Sequence, residues 1–171
     1  MGKTAVTGNI SKPYARTTWR GHRFDQRTVS ALKWAEKHYL AVAPKKRTPW
    51  RVGQGSYSAG SLSGSTHLGG GAVDVMFAGL TKKQQRATTK WLRRAGFAAW
   101  SRVDARVWGA GNQHAHAVLR GHRTASPAAK TQMVAYDNGR DGLIDNAKDR
   151  EWRPKRKRRW SHRQNRPILG K

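Results

Sequence analysis

Apolar residues recur at helical spacing in three stretches of this chain and cluster into short strand-like runs between them. Val29, Leu32, Ala35 and Tyr39 repeat every three or four positions, which predicts a helix over roughly 26–43 with that stripe turned to a core. Asp25 stands at its N-cap position, Pro44 ends the pattern, and Lys45-Lys46-Arg47 reads as an exposed loop. Thr81 followed by Gln84 is a capping box for a second helix, with Ala87, Trp91 and Ala95 on its inner face and Gly96 as its stop. Ser126-Pro127 opens a third helix with Pro at the first helical position; Met133 and Tyr136 face inward and Gly139 terminates it. Strands are predicted at Trp50-Arg51-Val52, around Asp74, at 97–100, at Val107-Trp108 and at 114–119, joined by glycine-bearing turns. Residues 1–23 lack periodicity and read as an extended basic arm, 24–150 as the folded domain, and 151–171 as a basic tail, disordered or peripheral. Helices bracketing several short strands argue for an α+β fold, a small antiparallel sheet with helices packed around it.

Candidate chemistry is concentrated in the stretch from Ser65 to Asp74. His67 and Asp74 are separated by the triplet Gly69-Gly70-Gly71, a poor helix interior but a good place for the backbone to double back. The expected geometry is a loop carrying His67 that turns through the glycines into a strand carrying Asp74. His114 and His116 lie two apart in the 114–119 run, so on a strand they share a face. His67, Asp74 and His116 make a three-ligand set with one position open, the arrangement of a catalytic rather than a structural zinc.

Composition narrows the choice of metal and partner. The chain has 171 residues and no cysteine, so neither disulfides nor thiolate ligation can contribute, and a site of His and carboxylate suits zinc. With 35 Lys and Arg against 9 Asp and Glu, the formal charge is +26. Residues 153–171 hold nine of those cations and no acid, which leaves the rest at about +17. Such a surplus points to a densely anionic partner: nucleic acid, an anionic membrane surface or a cell-wall polymer. Arg156-Lys157-Arg158-Arg159 between Trp152 and Trp160 suits a phosphate-tracking tail, so a basic nucleic-acid-binding protein is the alternative reading. A virion-associated structural protein is the other. The longest apolar runs are too short to span a bilayer and the N-terminus lacks a secretory signal; synthesis in the cytoplasm is expected. His22, His38, His122 and His162 have no partner at metal spacing and read as surface residues. No calcium loop, serine triad or glycosidase carboxylate pair can be assembled from the remaining residues.

The pattern Ser-x-His-x-x-Gly-x-Ala-x-Asp, present as Ser65, His67, Gly70, Ala72 and Asp74, together with Trp108 before His114-Ala115-His116, resembles the zinc D-alanyl-D-alanine peptidases of bacterial cell walls. The likeness includes their phage endolysin relatives in the lysostaphin–carboxypeptidase–hedgehog group and covers about residues 20–150. It implies the fold of that group, a Zn²⁺ cofactor, and hydrolysis of a peptide bond in the peptidoglycan stem or cross-link, by a carboxypeptidase or endopeptidase. A lysin of this kind waits in the host cytoplasm and acts at the wall, where peptidoglycan and its anionic polymers are the expected partners and a monomer is the expected state. No stable nucleic-acid partner is expected, although the charge permits non-specific binding. Two positions depart from the group: Tyr57 stands where many members carry an Arg, and Gln113 where many carry a Glu base.

An amide cannot accept a proton at neutral pH, so the base is expected at His114, whose ordinary pKa near 6.5 suits that role. Zinc on His67, Asp74 and His116 would activate water. Ser65 is expected to orient His67 or Asp74, while Gln54, Tyr57 and Trp108 are expected to line the substrate cleft, Gln54 or the Tyr57 hydroxyl donating to a developing oxyanion.

Overall fold

The structure, a computed structural model, describes residues 9–41, 48–59 and 65–170. At its centre is a four-stranded antiparallel sheet of β3 (Arg51–Gln54), β4 (Ala72–Met76), β6 (His114–Leu119) and β5 (Phe97–Arg102), in that spatial order. Alternation along these strands divides the side chains into two sets. Val73, Val75, Phe97, Ala99, Ala115, Ala117 and Leu119 join one large core with α1 (Gln26–Ala41) and α2 (Lys82–Ala95). The other set, Ala72, Val118, Ala98 and Trp100, packs in two smaller clusters against α4 (Pro127–Asp137). Asp74, His114 and His116 belong to this second face, so the chemistry lies opposite the main core.

The helices begin where their caps predict. Asp25 Oδ1 accepts from the Thr28 amide at the start of α1, the Thr81–Gln84 box is closed in both directions at α2, and the Ser126 side chain accepts from the Ala129 amide at α4. Val29, Leu32, Ala35 and Tyr39 are all buried, as the α1 stripe requires. The exposed loop expected at 45–47 lies outside the described residues. Gly96, the stop after α2, has φ +101, and a Cβ there would meet the backbone of Arg159 and Trp160 at 2.8 Å. Glycine is required both for the left-handed turn and for the close approach of a later strand.

Three local expectations are corrected. Val107-Trp108 lies not in a strand but in a single helical turn, α3 (Ala105–Trp108), capped by Asp104 accepting from the Arg106 amide. The arm is in part a hairpin, β1 (Arg16–Trp19) with β2 (His22–Asp25), turned by Arg20 and Gly21 at positive φ. The basic tail contains a second hairpin, β7 (Arg158–Ser161) with β8 (Arg166–Leu169), and is neither disordered nor peripheral. Trp160 is 2% exposed and belongs to the main core. Buried arginines secure the same region through backbone carbonyls: Arg27 donates to Trp160 O at 3.0 Å, and Arg93 to Trp152 O at 2.7 Å while also pairing with Asp149 at 2.7 Å. The charge run hid this order because its anchoring residues are single apolar positions between cations.

Candidate metal centre

The centre is assembled from one loop and two adjacent strands. Asp74 of β4 lies directly across from His116 of β6 in the sheet register, with Trp100 of β5 beyond it. His67 arrives on a 3₁₀ turn (Thr66–Leu68), held to the segment after β3 by Ser58 N donating to His67 O and Tyr57 N donating to Gly69 O. The glycine triplet then passes over residues 122–126. A Cβ at Gly70 would lie 2.6 Å from Thr124 Oγ1 and closer still to Tyr57 Oη and His122 Cε1, so only glycine lets this loop lie low enough to deliver His67.

His67, Asp74 and His116 form a group that could hold a metal ion, with one ligand atom from each lying within 4.8 Å of the others. His67 Nε2 is 3.2 Å from Asp74 Oδ1, and His116 Nδ1 is 2.8 Å from the same oxygen. The opposite nitrogen of each ring faces an oxygen: His67 Nδ1 is 2.8 Å from Gly55 O, and His116 Nε2 is 2.8 Å from Gln132 Oε1. Carbonyl oxygens only accept, so these contacts place the ring protons on the outer nitrogens and leave the inner lone pairs facing Asp74. His67 Nε2 is buried and has no hydrogen-bond partner. Lone pairs crowded against a carboxylate are unfavourable unless a cation lies among them, so the donor set fits a metal.

The electrostatics follow from the same contacts. Burial alone would raise the Asp74 carboxyl, but the His116 and His67 ring nitrogens packed against it outweigh burial and hold it well below the usual carboxylate range. Burial pushes His116 down against the pull of Asp74. At His67 burial also opposes the proton, yet Asp74 and the Gly55 carbonyl raise it overall.

His114 is buried beside the group, its Nε2 3.8 Å from Asp74 Oδ1 and its Nδ1 2.7 Å from Asn112 O. The same carbonyl rule puts its proton on Nδ1, leaving Nε2 as a free base. Trp108 packs edge-on to His114, ring centroids 5.3 Å apart, and Gln54 lies across from Asp74 on β3; both flank the group. Tyr57 does not present its hydroxyl there. Tyr57 Oη donates to Asp25 Oδ2 at 3.1 Å and contacts Thr124 Oγ1 at 3.0 Å. Ser65 is exposed, and the contact expected of it on His67 is made by Gly55.

Three participants escaped the sequence reading. Gln132, on α4, bonds His116 and also lines a groove of about 590 Å³ with Arg140, Gly142 and Leu143. Arg102, paired in register with His114, is 4% exposed; burial lowers it to about 10, and its Nη2 donates to Asp141 O. Neither carries a motif. His122, read as a surface residue, is 2% exposed with Nε2 2.9 Å from Asp25 Oδ2. The 97 positions separating that buried pair left no spacing signal. No protein-family model, curated protein or solved structure matches the chain.

Proposed function

We propose that this chain is a zinc-dependent peptidase that hydrolyses a peptide bond of bacterial peptidoglycan, of carboxypeptidase or endopeptidase type, and acts as a phage lysin at the cell wall. The observation that carries the reading is the convergence of three lone pairs from His67, Asp74 and His116, with a fourth buried base, His114, beside them. Zinc held by His67 Nε2, Asp74 Oδ1 and His116 Nδ1 would supply Lewis acidity and make water nucleophilic at neutral pH.

The chain's own residues do the rest. His114 Nε2 takes the proton from the attacking water and returns it to the leaving amine, while Asn112 O fixes its tautomer. Gln132 and Gly55 hold the two ligating rings in register. Gln113 donates its amide to Val103 O instead of facing the centre, in keeping with its unsuitability as a base. Arg102 places a buried cation in the row beside His114, suited to an anionic group on the stem peptide or to a developing oxyanion. Among the described residues no helix is long and apolar enough to cross a membrane.

The test is digestion of purified peptidoglycan with mass spectrometry of the fragments, with and without chelator, alongside metal analysis of two variants. His116→Ala should lose zinc and turnover together. His114→Ala should keep zinc and lose about 10²–10⁴ in turnover. Fragments unchanged by chelator, or zinc lost from His114→Ala and kept by His116→Ala, would overturn the assignment.

A further inference from the structure

On the side of the molecule away from Asp74, where α1 and α2 cover the sheet, the basic C-terminal segment closes over two depressions that meet at Trp152. One, of about 600 Å³, is lined by Trp34 and His38 of α1, Arg94 of α2, Lys155, Arg158 and Arg166. The other, of about 410 Å³, carries Arg86, Lys90 and Arg150. Trp152 lines both and is 43% exposed. None of these seven Lys and Arg side chains has an ion-pair partner among the described residues. The single acid in the lining, Glu151, has its carboxylate taken by the Ser101 amide and hydroxyl at 2.7 and 2.8 Å.

We infer that this track binds an extended polyanion with phosphodiester groups along its backbone, of the poly(polyol phosphate) kind that decorates bacterial walls. The identity of the polymer rests on the wall-directed reading above; the track itself does not. Unpaired cations gathered along one surface path raise the local potential and gain most from a partner with regularly spaced charge. A single-stranded nucleic acid would satisfy the cations too, but it also needs bare aromatic faces for its bases. Here the rings are occupied. Trp34 stacks on His38 with centroids 3.9 Å apart, Arg94 lies 4.7 Å from the Trp91 ring and 5.4 Å from Trp152, and Lys90 lies 5.2 Å from Trp152. The indoles serve to hold guanidinium and ammonium groups in place, and what they present outward is charge. Because the track and the metal centre are on opposite sides of the sheet, polymer can be held while the centre engages a stem peptide.

The test uses the full chain and three exposed side chains that make no core contact. Arg86→Gln, Lys155→Gln and Arg166→Gln, combined, should weaken binding to soluble poly(glycerol phosphate) by roughly tenfold or more at low salt and flatten the salt dependence by about two to three units of slope. Binding to whole walls should fall likewise, and walls stripped of phosphodiester polymer should bind parent and variant equally. Hydrolysis of a small soluble stem peptide should be unchanged, so loss of the track and failure of the peptidase reading give separate signatures. Trp152→Ala serves as a second variant: freed of their aromatic support, Lys90 and Arg94 should lose affinity for the polymer. Unchanged polymer affinity in both variants overturns the proposal. So does a single-stranded oligonucleotide that binds more tightly than poly(glycerol phosphate) and loses that binding in the triple variant.

Discussion

Gln132→Leu removes the oxygen that keeps the His116 proton on Nε2, the tautomer that leaves Nδ1 open to a metal. In the parent, His116 Nε2 lies 2.8 Å from Gln132 Oε1, and the ring is 6% exposed. Without an acceptor the buried N–H is left unsatisfied, a penalty of about 1–3 kcal/mol. The ring has one escape: to carry its proton on Nδ1 and donate to Asp74 Oδ1, 2.8 Å away. That consumes the lone pair a metal needs and occupies the carboxylate as well. Metal binding must reverse the rearrangement, so the loss should appear as about 10- to 100-fold weaker zinc affinity, or ~1.4–2.7 kcal/mol. Competition against a chromophoric chelator at neutral pH measures it directly, with circular dichroism as the check on folding. Gln132→Glu keeps an acceptor and should retain affinity. Leu and Glu variants both binding zinc as tightly as the parent would refute the tautomer argument. A Leu variant as defective as His116→Ala would show that Gln132 does more than orient a ring.

Asp25→Asn keeps an N-cap for α1 but discharges the buried contact with His122. Burial favours the protonated acid, yet the His122 and Thr28 contacts outweigh it and lower the Asp25 pKa. The folded value is below the unfolded one, near 3.9, so the stabilisation is complete above that pH and lost as pH falls through the folded value. Denaturant titrations should show the variant about 1.5–3 kcal/mol weaker at neutral pH, with the gap closing in acid; a gap constant with pH would contradict the sign. Trp160→Ala should cost about 3–5 kcal/mol, read as a lower thermal midpoint, because it empties a core position that a disordered tail would not occupy. Gly70→Ala, which forces Thr124, Tyr57 and His122 apart, should cost about 1–3 kcal/mol and weaken zinc binding through His67; parental stability and affinity together would mean the loop is free to rise.

What could be read from the chain in advance had short-range causes. Caps at Asp25, Thr81 and Ser126 act within three residues, and the α1 stripe repeats within one helix. The two β6 histidines share a face because a strand has period two. The long-range elements left no such trace. The C-terminal hairpin depends on Trp160 meeting a core made by residues far earlier and on Arg27 donating to the Trp160 carbonyl, while Arg93 holds the segment before it through Trp152 O. In a charge run those features look like solvated surface. Val107-Trp108 misled for a different reason: two apolar residues fit a strand, but Asp104 three positions ahead caps a helical turn instead. Tyr57 was assigned to the cleft by position alone, whereas its hydroxyl follows the buried Asp25–His122 pair.

The placement of α4 shows how the second face of the sheet converts packing into site geometry. Where the N-terminal half of α4 meets the sheet the buried residues are small, Ala72 and Val118 on the strands and Ala125 and Ala129 on the helical side, while Trp100 and Tyr136 fill the space nearer its C-terminus. Small contacts let the helix axis come close, and closeness is what allows a side chain as short as Gln132 to reach His116. At the same helix's start, Ser126 Oγ donates to Thr66 O at 3.1 Å while accepting from the Ala129 amide. The residue that caps α4 therefore also fixes the turn that carries His67. One helix is thus tied to both histidines of the candidate centre, to His67 through its N-cap and to His116 through its second turn, although it contributes no side chain to the group itself. A larger residue at Ala129 would lift α4 and slacken both ties at once, so metal affinity should be more sensitive to that position than its distance in sequence from His67 or His116 would suggest.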